Sequence, residues 1–154
     1  MALVALMAGC ARAPQPALVV THIPNPSGIH AANTPDKPDF PYVWFYRTEV
    51  SNATDRPIRI IGFEGCFLME SRWIPANVMN RPLTADDFSK WYTAGDPVTN
   101  GWIQPHATAA CNPNWHGATS PVSPRCKWTY EGVDAMGNTC HAEAEIKTVP
   151  APGK

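Results

Sequence analysis

Charge is scarce in this chain. Only 16% of its 154 residues are Asp, Glu, Lys or Arg, and they nearly cancel, to a formal net charge of −1. An average soluble protein carries roughly 25%. Without a basic face there is nothing to neutralise phosphates, so a nucleic-acid partner is excluded. Long apolar runs are missing too: Ala2–Ala8 (ALVALMA) is far shorter than the roughly 20 residues of a membrane-spanning helix. The chain also lacks a G-x-S-x-G elbow, an H-E-x-x-H pair, a glycine-rich phosphate loop and the C-x2-4-C spacing of a zinc site. Glu64, Glu70, Asp86, Asp87 and Asp96 have no spacing that demands a catalytic pair. The expectation is a non-enzymatic protein without a cofactor.

Proline is abundant. Seventeen prolines and ten glycines are scattered as turn punctuation, which favours short strands over long helices. At the N-terminus the apolar run passes directly into Leu6-Met7-Ala8-Gly9-Cys10. This segment resembles the bacterial lipoprotein signal, in which a hydrophobic run ends in a small-residue box with Cys at the cleavage point. The resemblance implies export, diacylation of Cys10 and a stable membrane anchor facing the periplasm or the cell exterior. Ordinary signal cleavage after Ala11-Arg12-Ala13 is the other route of export.

Four segments follow from composition. Residues 1–10 are the signal and 11–41 a proline-rich spacer, inside which Leu18-Val19-Val20 suits an edge strand. Residues 42–148 are the folded domain and 149–154 a tail. Within the domain, YVWFYRTEV (42–50) reads as a strand with Trp44, Tyr46, Thr48 and Val50 on one face. SNATDR (51–56) is a turn leading to a second strand, IRIIGFEGCFLM, whose alternation slips at Ile60-Ile61-Gly62 and predicts a bulge. The two are expected to form a hairpin. Thr84, Asp86, Asp87, Phe88, Trp91, Tyr92 and Gly95 spell one capped helix of about ten residues. Residues 101–111 read as a strand pair broken at Pro105. Cys126-Trp128-Tyr130 and Cys140-Ala142-Ala144-Ile146 alternate with polar residues around Asp134–Asn138, predicting a hairpin with Cys126 opposite Ile146 and Cys140 opposite Gly132. The fold class expected is all-β: a single antiparallel β-sandwich with one short helical insert. The run VSNATDRPIRI resembles immunoglobulin-like domains of bacterial envelope proteins.

With Cys10 given to lipid, Cys66, Cys111, Cys126 and Cys140 remain, an even set that suggests two disulfides in an exported chain. The hairpin register rules out Cys126–Cys140. The preferred pairs are Cys111–Cys126 and Cys66–Cys140. The competing use is a soft-metal site, for which His106, Cys111 and His116 are weak candidates in a copper carrier.

Six tryptophans are many for this length. Trp44 and Trp128 read as core. Trp91, Tyr92, Trp102 and Trp115, in the helix–loop region 84–117, are the candidate recognition surface. The reading is a lipid-anchored cell-envelope accessory protein, a binding or structural module for another envelope protein. A glycan-binding module using those aromatics and a periplasmic copper carrier are the alternatives.

Overall fold

The computed structural model describes residues 16–31 and 39–149. It is an all-β sandwich of two antiparallel sheets with one short helix. The first sheet holds β1 (Leu18–Ile23), β2 (Ile29–Ala31), β3 (Tyr42–Asn52), β7 (Thr93–Ala94), β8 (Asp96–Pro97) and β10 (Thr108–Ala118), in the order β1-β3-β10-β7-β8 with β2 extending the β1 side of β3. The second holds β4 (Ile58–Met69), β5 (Arg72–Pro75), β6 (Leu83–Thr84), β9 (Trp102–Ile103), β11 (Cys126–Asp134) and β12 (Thr139–Ile146), in the order β12-β11-β4-β5 with β6 and β9 also on β4. Helix α1 (Ala85–Trp91) lies between β6 and β7.

The strand patterns written in the sequence appear as alternating burial. Trp44, Tyr46, Thr48 and Val50 of β3 are all buried, and so are Cys126, Trp128 and Tyr130 of β11. At the centre Phe63 stacks on Tyr130 and meets Phe88, Trp91 and Tyr92 edge-on. Such ring pairs add to the burial of large side chains. The β11–β12 hairpin has the predicted register, with Cys126 opposite Ile146 and Gly132 opposite Cys140. Gly137 takes a positive φ of 85° in its turn. The β4 bulge is present as well: Gly132 pairs with Ile60 and Glu131 with Gly62, leaving Ile61 without an opposite residue on β11.

Four expectations are corrected. First, the edge strand expected at Leu18-Val19-Val20 is present but runs on to Ile23, and a second strand at residues 29–31 joins the sheet where spacer was expected. β1 pairs with β3 from Leu18↔Asn52 to Ile23↔Arg47, and β2 pairs with residues 42–44 of β3. Apolar alternation in β1 buries Leu18 against the core, and this outweighs the proline-rich composition around it. The signal with Cys10, residues 11–15 and 32–38 of the expected spacer and residues 150–154 of the expected tail lie outside the described residues.

Second, β3 and β4 are not a hairpin: they belong to different sheets, and the turn between them crosses the sandwich. Buried Asn52 holds the crossing. Its amide nitrogen donates to the carbonyls of Arg56, Ile103 and Gln104, and its Oδ1 accepts from the Thr54 backbone N–H and hydroxyl. Residues 102–103 and 108–118 are likewise split between the sheets.

Third, the helix stops at Trp91, because Tyr92 is extended and Thr93 pairs with Ala110. Its start is as expected. Asp87 accepts from the Thr84 backbone N–H and hydroxyl and from both terminal nitrogens of Arg81. These donors hold its carboxyl well below the usual carboxylate range, the Arg81 bonds most of all.

Fourth, Cys66, Cys111, Cys126 and Cys140 are all free thiols. Cys66 opposes Lys127, which opposes Glu145, five residues along β12 from Cys140. That separation is roughly 17 Å along the strand direction alone, which a disulfide cannot bridge. Cys111 and Cys126 sit on opposite sheets, unbonded.

Candidate functional site

The first half of the segment between Cys111 and Cys126 is strand. β10 continues to Ala118 along β3, with a shift between Cys111 and Asn114 that accommodates Asn112-Pro113. Beyond this bulge Asn114 and His116 are buried, while Trp115 between them is half-buried at the edge of the sandwich. The sheets part here. They leave a cleft of ≈ 620 Å³ walled by β10 on one side and by Gly65, Phe67, Cys126 and Trp128 on the other, with residues 76–78, Trp91 and Phe40 at its rim. Gly65 admits the Trp128 ring, which lies 3.3 Å from where a Cβ would stand. Phe40 meets Trp115 edge-to-face, with centroids 6.0 Å apart.

Two hydrogen-bonded chains run through the wall of this cleft. The His22 ring bonds the Ala144 carbonyl through Nε2 (3.1 Å) and the Thr48 hydroxyl through Nδ1 (3.0 Å), and Asn114 Nδ2 donates to Thr48 Oγ1 (2.8 Å). All bonds are satisfied if His22 carries its proton on Nε2 and accepts from Thr48. In the second chain Trp128 Nε1 donates to the Tyr46 hydroxyl (2.9 Å). That hydroxyl faces His116 Nδ1 at 3.4 Å, and His116 Nε2 bonds Ser123 Oγ at 2.8 Å. A neutral His116 protonated on Nε2 closes the series. Burial, with some repulsion from His22, pushes the His116 pKa down to about 4, and burial lowers that of His22. Burial raises the Cys111 and Cys126 thiols to about 11 and about 12. Neutral imidazoles and protonated thiols give the cleft no charge. None of its sixteen lining residues is Asp, Glu, Lys or Arg.

The four aromatics singled out from sequence are only partly brought together. Trp91 and Trp115 line the cleft. Tyr92 is fully buried, its hydroxyl 2.5 Å from that of Tyr130. Trp102 pairs with Arg59 on β4, away from the cleft. Sequence reasoning missed Phe40, Phe67 and the cleft-facing side of Trp128. The signal for them was weak, because only sheet pairing brings these segments together. The metal candidates separate: Cys111 and His116 are on the cleft wall, whereas His106 is exposed and bonds Asp55 at 2.8 Å. His106 and His116 are ten residues apart around an extended strand, on the order of 25 Å. Among the described residues no group of three or more His, Cys, Asp or Glu is placed to hold a metal ion. Among them, too, no helix is long and apolar enough to cross a membrane.

No protein-family model and no curated protein matches the chain. Solved structures do. An X-ray structure of a structural-genomics target, SoR45, superposes with a TM-score of 0.53 at 11% identity, covering 88% of this chain and 89% of that one. The crystal structure of the ApaA protein from Bordetella pertussis gives a TM-score of 0.46 at 15% identity, covering 88% and 98%. The first likeness is one of fold alone.

Proposed function

We propose that the chain is an exported cell-envelope accessory protein, anchored through lipid on Cys10, that acts as a non-enzymatic binding module. Its ligand site is the cleft between the sheets. The observation that carries this reading is the lining of the cleft: aromatic rings around a sizeable concavity, with few polar groups and no charge, match the general character of ligand sites. A reactive centre is poorly served there. The thiols are held protonated, and both nitrogens of His116 are engaged with Tyr46 and Ser123.

Leu18, at the start of β1, and the cleft fall at opposite ends of the first sheet. Leu18 enters the sheet opposite Asn52, while the cleft lies near His116, opposite Trp44. Eight residues of β3 separate these levels, roughly 25 Å, so a short tether at Cys10 would present the cleft away from the membrane. The rim aromatics Trp91 and Trp115, beside the amides of Asn77 and Asn112, favour a neutral glycan as the second reading.

Fractionation of a bacterial host expressing the full chain tests the address. The wild type is expected in the membrane fraction with a mass increment on Cys10, and Cys10→Ser in the soluble fraction. A soluble wild-type chain that begins at Pro14 or Met1 would overturn the lipid anchor. Tryptophan fluorescence tests the site, since ligand entering the cleft must perturb Trp91, Trp115 or Trp128.

A further inference from the structure

Resting on the cleft as the binding site, we infer that its ligand is an uncharged segment of a partner polypeptide that inserts large apolar side chains between the two sheets. Three observations narrow the chemistry. The buried polar groups of the wall are already committed: Asn114 to Thr48 and to the Trp115 backbone N–H, His116 to Tyr46 and Ser123, and Trp128 to Tyr46. Sugar hydroxyls pushed to this depth would lose their hydration with little in return, at a cost comparable to leaving each polar group unpaired.

Charge is the second. A phospholipid or fatty acid brings an anionic group, and the lining holds no cation to receive it. Arg125 and Lys127, which flank Cys126 in the chain, are paired with Glu145 and Glu143. Lys127 alternates with Cys126 and Trp128 and so projects from the opposite face of β11.

The third is the rim. The segment from Ile74 to Met79 exposes Ile74 (41%), Val78 (47%) and Met79 (48%), so apolar surface continues out of the cleft beside the primary amide of Asn77. A polypeptide fits both levels. Its side chains fill the uncharged interior, and its backbone N–H and C=O groups meet the amides of Asn77 and Asn112 at the edge.

The test selects a phage-displayed random dodecapeptide library on the full chain carrying Cys10→Ser. Bound sequences are expected to be rich in Phe, Trp, Leu, Ile or Met and poor in Asp, Glu, Lys and Arg. A synthetic selected peptide should perturb tryptophan emission. Its affinity should fall about tenfold or more in Trp115→Ala and in Val78→Asp; the latter alters only an exposed rim position, so it guards against misfolding. Charged selections, or equal binding by Val78→Asp, would overturn the inference. Maltohexaose, chitohexaose and phosphatidylethanolamine–phosphatidylglycerol vesicles serve as parallel arms. If one of these perturbs the tryptophans in a Trp115-dependent way and the peptides do not, the ligand class is wrong and the cleft stands. If no arm does so, both are wrong.

Discussion

The indole of Trp44 lies flat against the imidazole of His116, with ring centroids 5.3 Å apart and 10° between their planes. Tyr46 and Phe67 approach the same imidazole from other sides, and Ser123 takes its outer nitrogen. No carboxylate is among these neighbours, so nothing on the ring's surroundings compensates a positive charge.

Acid sensitivity follows. The unfolded chain binds a proton at His116 near pH 6.5, whereas the folded chain resists until about pH 4. Between these values the unfolded state holds more protons, so stability is fully present above about pH 6.5 and is lost as pH falls toward 4. The gap corresponds to about 3 kcal/mol, and His22 shifts in the same direction. Urea midpoints measured from pH 7.5 to 4.5 should decline for the wild type. They should decline less steeply for His116→Gln, even though that variant starts lower. A parallel decline would show that His116 does not titrate on unfolding.

The Asp87 carboxylate is 3% exposed and accepts four hydrogen bonds, two from Arg81 and two from Thr84. Asp87→Ala removes the acceptor and frays the helix start, with an expected loss of about 2–3 kcal/mol in chemical denaturation. Arg81→Ala should cost less, because the two Thr84 bonds survive. The reverse order would mean that the ion pair, not the cap, dominates.

Gly101 sits at φ 78°, and a Cβ there would stand 2.6 Å from the Ile60 carbonyl oxygen. Its own carbonyl accepts from the Ile60 N–H. The backbone on both sides leaves no slack, so Gly101→Ala is expected to destabilise by about 2–3 kcal/mol. Gly95→Ala is the control: it shares the positive φ but has open space around it, and should lose about 1 kcal/mol. Thermal midpoints of the pair separate steric clash from backbone conformation.

The thiols can be counted. Reductant should leave the mass of the folded domain unchanged, and alkylation in denaturant should add four groups at Cys66, Cys111, Cys126 and Cys140. Under native conditions near pH 8 the reaction should be slow at Cys111 and Cys126, whose thiols are raised by burial to about 11 and about 12. Half-buried Cys140 should react earlier. Fewer than four added groups without reductant would reveal a disulfide.

Local pattern carried much of the fold. Alternation gave β3, β11 and β12, the slip at Ile61 gave the bulge, and Gly137 gave the hairpin register. Thr84 and Asp87 marked the helix start. What pattern could not supply was the choice of sheet. SNATDR reads the same whether it returns a strand beside its predecessor or carries it across to the other layer. Only the partners of Asn52, at Ile103 and Gln104, decide it, and these are some fifty positions away. The cleft was hidden for the same reason. Trp91 and Trp115 were visible as candidates, but Phe67 and Trp128 join them only after the sheets pack. Even cysteine number, a matter of counting, misled where strand geometry kept the sulfurs apart.

The first strand also leans on the last. His22 of β1 bonds the carbonyl of Ala144, Asn25 bonds Glu145 and Lys147, and Ser27 exchanges backbone bonds with Lys147 and Val149. The two ends of the domain are therefore a clasp fastened across more than a hundred residues. A nascent chain can build the β3–β10 and β4–β11 ladders early, yet must leave β1 half-supported until β12 and residues 147–149 emerge. Closure of the sandwich at β1 therefore comes last, after both ladders are in place.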